Sequence, residues 1–177
     1  MAIKINTEKR IFTLETKHTM YQMQADTYGV LRHLWYGAKT GCDMSYLQDY
    51  PDVGFSGNPH DAGNDRTYSL DTLPLEYAGA GIGDFRVPAV EAVHADGSCA
   101  LDLRYYSHTV KQGKYAIAGL PALYAGEDEA ETLEVVLRDT ASAVEVTLKY
   151  GVLPELDIVT RCAEIRNLGE APVTLTK

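Results

Sequence analysis

The side chains able to do chemistry are plentiful in this chain but poorly clustered. His18, His33, His60, His94 and His108 fall at spacings that bring no pair or triad to one point, as a metal ion held by His, Cys or carboxylate ligands would need. Asp61, Asn64 and Asp65 lie close together in a Gly-containing stretch, yet the distal bidentate Glu of a calcium loop is missing, so a solvated turn is the expectation. Gly79-Ala80-Gly81-Ile82-Gly83 lacks the strand-then-helix context in which a Gly-rich loop cradles phosphate, and it reads as a bend. There is no GxSxG nucleophile elbow. General acid/base work needs two carboxylates facing each other across a cleft, and spacing alone selects no pair among the 25 Asp and Glu residues. No metal or cofactor is expected.

The bulk properties exclude further classes. With 25 acidic against 16 basic residues the net charge is -9, which repels phosphate backbones, so nucleic acid is not an expected partner. Cys42, Cys99 and Cys162 are odd in number and without CxxC spacing, which fits reduced thiols acting as small buried hydrophobes. No run approaches the roughly 18 apolar residues of a membrane span, and Met1-Ala2-Ile3-Lys4 does not open a signal peptide. A cytoplasmic location is the expectation. Twelve tyrosines dominate the aromatics; their apolar faces and polar tips suit sugar contacts and wet interfaces alike. Trp35, in Leu34-Trp35-Tyr36-Gly37, could face a carbohydrate or serve as strand core.

The elements that must position these groups are strands. Phe12 and Leu14 alternate with Thr13 and Glu15, and Tyr21, Met23 and Ala25 alternate with Gln22, Gln24 and Asp26. Val144 to Tyr150 puts every second side chain on an apolar face, leaving Glu145, Thr147 and Lys149 for the other; Leu133, Val135 and Leu137 do the same. Ala95-Asp96-Gly97-Ser98 predicts a hairpin between 90–94 and 101–105, and Asn167-Leu168-Gly169 could close a second. No stretch carries a capped helical stripe, so the expected class is all-β, a large antiparallel β-sandwich or supersandwich with few or no helices, forming one domain over 1–177. Residues 41–83 break the alternation and are rich in Gly, Asp, Asn, Pro and Tyr; a loop that long usually has a job. The alternation of Val173 to Lys177 runs out without a stop signal, which suggests a boundary inside a longer protein.

An ordered set of short motifs then narrows the reading. Leu31-Arg32-His33-Leu34-Trp35-Tyr36-Gly37, Phe55-Ser56-Gly57-Asn58-Pro59, Asp65 to Leu73, Glu76-Tyr77 and Gly83-Asp84-Phe85-Arg86-Val87-Pro88-Ala89 resemble the amino-terminal domain of family 36 α-galactosidases. Asp102-Leu103-Arg104-Tyr105, Gly113-Lys114, Gly119 to Ala122, Glu131 to Glu134 and Ile158-Val159-Thr160-Arg161 continue it in the same order, while Lys39 to Asp49 departs from the family's pattern. The resemblance implies a retaining enzyme that removes terminal α-galactose from sugars such as melibiose and raffinose. Its two catalytic aspartates lie in a following (β/α)₈ barrel and a carboxy-terminal domain completes the protein, so this chain holds no catalytic residue and should be inert alone.

The resemblance also implies a homo-oligomer, a tetramer, in which the amino-terminal domain lends a loop to the active-site mouth of a neighbouring subunit. The matching positions are Asp52 and Arg66. A carboxylate accepts from sugar hydroxyls and a guanidinium donates to them; Arg66 could instead be a structural partner of Asp65 or Asp71. The expected partners are α-galactosides, the barrel and neighbouring subunits, with no nucleic acid and no membrane. A stand-alone carbohydrate-binding β-sandwich, or a β-sandwich of another glycoside-processing family, are the alternatives. An apolar face left for the barrel should accompany the first reading.

Overall fold

The computed structural model describes residues 1–48, 50–52 and 58–177. Four strands open the chain as an antiparallel meander: β1 (Ile3–Asn6), β2 (Ile11–Glu15), β3 (Thr19–Ala25) and β4 (Leu31–Ala38) pair in chain order. After the long connection comes β5 (Ala92–His94). A second antiparallel meander follows, built from β6 (Arg104–Gln112), β7 (Glu131–Asp139), β8 (Val144–Leu153) and β9 (Ile158–Asn167), and β10 (Val173–Leu175) returns to pair with β5. Among the described residues the helices are single 3₁₀ turns at Ser45–Gln48, His60–Ala62 and Pro154–Leu156. The all-β class and the antiparallel sandwich follow directly from the alternation.

The two meanders share one core. Phe12, Leu14, Met23, Ala25 and Leu31 from the first sheet meet Leu133, Val135, Leu137, Val146, Leu148 and Tyr150 from the second, all buried. Each of the large aliphatic, Phe and Met side chains among them stabilises the fold by about 1.5–3 kcal/mol when removed from water. Cross-strand register explains the pattern: Phe12 lies opposite Met23 and Leu14 opposite Tyr21, so one face of the hairpin is apolar. In β8 the alternation is softened, because Glu145 and Thr147 are buried as well. This strand lies between β7 and β9, and the Arg138 guanidinium covers Glu145 at 2.7 Å. The Glu131 carboxylate ties the chain start to β7, accepting from the backbone N–H groups of Ala2 and Ile3 at 2.7 and 2.8 Å.

Three local expectations are corrected. The Asp96-Gly97 turn forms, with Gly97 at φ 84 donating to the His94 carbonyl and the His94 N–H donating to the Ser98 carbonyl, but the pairing stops at that rung. The Leu101 and Asp102 N–H groups are drawn instead to the Ala80 carbonyl and the Asp139 carboxylate, and β6 starts only at Arg104. The Asn167 turn likewise leads β10 to β5 rather than back to β9. The cysteines are free but not buried: Cys42 and Cys99 are exposed and Cys162 is half-buried, since all three lie outside the shared core. Trp35 is partly buried against Ile11, Met20, Leu34 and Met44, with its Nε1 donating to the Ala38 carbonyl.

Candidate functional site

The long connection is built on a small core of its own. Val30, Ala62, Tyr68, Leu70 and Leu73 are buried together, which fixes a segment whose sequence shows no strand periodicity. Asp26, buried at the end of β3, anchors it. One carboxylate oxygen accepts from the N–H groups of Tyr28 and Val30 at 2.9 Å each, and the other takes the Tyr68 hydroxyl at 2.6 Å. Burial, and next the Asp26 carboxylate, push the Tyr68 hydroxyl well above the usual tyrosine range. Gly29 supplies the positive φ of 81 that this turn requires. Arg104 braces the same corner, forking onto Asp102, donating to the Tyr28 carbonyl at 3.0 Å and meeting Asp61 at 3.3 Å.

On this base stand the two residues that the sequence singled out. Arg66 Nε lies 3.2 Å from Asp52 Oδ2, so the structure brings the two candidates together in one ion pair, with both side chains about half exposed. Arg66 forms this pair rather than one with Asp65 or Asp71. Asp65 is committed elsewhere: its Oδ1 accepts from the Thr67 hydroxyl at 2.6 Å and the Thr67 N–H at 3.0 Å, contacts that hold its carboxyl below the ordinary value, and its carbonyl accepts from the Asn58 amide. The arrangement presents a carboxylate and a guanidinium side by side to solvent, one accepting and one donating, as a polyol ligand requires. Of the Phe55-Ser56-Gly57-Asn58-Pro59 motif, the first three positions lie outside the described residues. Among the described residues no group of His, Cys, Asp and Glu is arranged to hold a metal ion, and no helix is long and apolar enough to cross a membrane.

Two further motifs prove to be braces that sequence reasoning did not assign. Arg86 Nη2 donates to the carbonyls of Leu70 and Leu73 at 2.9 and 2.6 Å, while Asp84 accepts from Nε and Nη2 of the same guanidinium at 2.8 and 2.9 Å. The Gly83-to-Ala89 motif therefore clamps the far end of the loop. Glu76, whose side chain is 1 % exposed, ties that loop to both sheets. It accepts from the hydroxyls of Tyr21 on β3 and Tyr150 on β8 at 2.7 Å each, faces His33 Nδ1 at 3.2 Å and pairs with Arg161 at 3.2 Å. Burial alone would raise the Glu76 carboxyl; His33, Arg161 and the two hydroxyls outweigh it and hold the group below its ordinary value.

The chain is a sandwich of two antiparallel meanders with a braced polar loop between the first meander and β5. The chain matches the glycosyl hydrolase family 36 N-terminal domain over residues 29–177, and it belongs to that family. The bifunctional α-galactosidase/sucrose kinase AgaSK of Mediterraneibacter gnavus is 51% identical over 177 residues, covering 100% of this chain and 19% of that protein. The solved galactosidase domain of AgaSK superposes with a TM-score of 0.96 at 51% identity, over 98% of this chain and 24% of the other. A solved variant of the α-galactosidase AgaA of Geobacillus stearothermophilus, in complex with raffinose, gives 0.87 at 39% identity, over 93% and 23%. The chain thus spans about a fifth to a quarter of the proteins it matches.

Proposed function

We propose that this chain is the amino-terminal scaffold and oligomerisation domain of a retaining α-galactosidase acting on terminal α-galactosides such as melibiose and raffinose, and that its loop reaches the active-site mouth of a neighbouring subunit. The observation that carries the reading is the match to the family 36 amino-terminal domain, joined to the half-exposed Asp52–Arg66 pair on a loop anchored at both ends. Sequence identity of 51% to an α-galactosidase/sucrose kinase, and the raffinose complex of a second relative, support the substrate class. Asp52 accepts from sugar hydroxyls in this reading and Arg66 both donates to the sugar and orients Asp52. The catalytic carboxylates belong to a barrel domain elsewhere in the parent protein.

Exposed apolar side chains support a docking role. Phe85 and Val87 are 85% and 82% exposed on either side of the clamped Arg86, and Ile117, Leu120, Leu123 and Tyr124 are exposed together on the β6–β7 connection. The function is tested by incubating the purified chain with a nitrophenyl α-galactoside. No release of nitrophenol is expected, because acid/base and nucleophilic carboxylates are supplied elsewhere. Turnover above a mock preparation would show that the chain carries its own catalytic pair and overturn the reading.

A further inference from the structure

Strands β3, β4 and β9 and the long connection, through Tyr21, His33, Arg161 and Glu76 with Asp84 and Arg86, line one cleft of about 480 Å³ whose walls include neither Asp52 nor Arg66. Its polar groups are spent unevenly. The Glu76 oxygens are taken by two tyrosines, His33 and Arg161, and both Asp84 oxygens by Arg86. The guanidiniums are not exhausted. Among the described residues, Arg161 makes its hydrogen bond and ion pair through Nη2, which leaves Nε and Nη1; Arg86 engages Nε and Nη2, which leaves Nη1. The carboxylate oxygens of the wall are thus occupied while guanidinium donors remain, in a chain whose net charge is -9.

We propose that this cleft binds a carboxylate, received by the open edges of Arg161 and Arg86. A guanidinium is weakly hydrated and its planar fork matches a carboxylate, so it is the cation suited to a half-buried anion site. Both forks are fixed in advance: Arg161 by the buried Glu76 and the Tyr150 ring 5.8 Å from its centre, Arg86 by Asp84 and two carbonyls. Little side-chain freedom remains to be lost on binding. Glu76 and Asp84 balance the two guanidinium charges in the wall, so recognition rests on the remaining N–H donors rather than on a net positive field, and binding is weak. The carboxylate could come from a small organic acid or from an acidic side chain of a second copy of this chain.

The test is a titration of the 177-residue chain with sodium succinate, followed by ¹H–¹⁵N spectra, with sodium chloride at equal ionic strength as control. Saturable shifts confined to Ala78, Ala89 and the His33 ring are expected with succinate alone, weakened at least about tenfold in Arg161→Gln. Should that variant unfold through loss of the Glu76 partner, Arg86→Gln carries the same comparison. If the same signals instead move on diluting the protein and succinate competes with that change, the carboxylate is supplied by another copy. Absence of saturable shifts in both experiments, or equal shifts with chloride, overturns the proposal.

Discussion

The Tyr150 hydroxyl, at the centre of the second sheet, donates to the Glu76 carboxylate of the long connection at 2.7 Å, across 74 residues of chain. Both groups are buried, so each satisfies a polar atom that water cannot reach. Removing only the hydroxyl leaves an under-satisfied carboxylate in the core. Tyr150→Phe is therefore expected to lower stability by about 1–3 kcal/mol, seen as a lower urea midpoint with the same slope. An unchanged midpoint would show that Tyr21, His33 and Arg161 satisfy Glu76 without it.

The same carboxylate makes stability depend on pH. Glu76 is held below its ordinary 4.5 in the folded chain, so its ionised form stabilises the fold above about pH 4.5 and that contribution is lost as pH falls through the folded value. Glu76→Gln is expected to be less stable near neutrality and to lose less stability on acidification. Chemical denaturation at successive pH values measures this, and parallel profiles for the two proteins would contradict it.

Gly79 lies where the loop crosses the segment before β6, and a methyl group there would collide with the Leu101 carbonyl oxygen. Backbone cannot yield as a flexible side chain can. Gly79→Ala is expected to cost about 1–3 kcal/mol, which thermal denaturation would register as a lower Tm. A wild-type Tm would mean that the crossing is loose.

Exposure of Cys42 and Cys99, against the half-buried Cys162, sets an order of reactivity. Two thiols are expected to react quickly with a disulfide reagent in the folded chain and the third only slowly or on unfolding, counted by released chromophore. Three fast thiols would place Cys162 at the surface.

Strand periodicity made the two sheets legible, because Phe12, Leu14, Leu133 and Val146 record in the order of residues which face meets the core. The loop was legible only as a departure from that pattern. Its anchors are long-range: Asp26 meets Tyr68, and Glu76 meets Tyr21, His33, Tyr150 and Arg161, pairs that no local spacing encodes. The failed Asp96 hairpin has the same origin, since the turn chemistry was read correctly but the strand that should follow bonds to Ala80 and Asp139. Resemblance to family 36 located Asp52 and Arg66; that they face each other at 3.2 Å came only with the structure.

The central proposal, that this loop helps build a substrate site, is tested most directly by steady-state α-galactosidase kinetics of Asp52→Ala in the full-length parent protein. Loss of a charge-assisted hydrogen bond to a sugar hydroxyl is expected to lower kcat/KM for raffinose by about ten- to a hundredfold, mainly through KM, with Tm and oligomeric state unchanged. Arg66→Ala should do the same if the guanidinium reaches the sugar, and should instead lower Tm alone if it only braces Asp52. Wild-type kinetics for both variants in an intact oligomer would contradict the account and leave this domain as a scaffold.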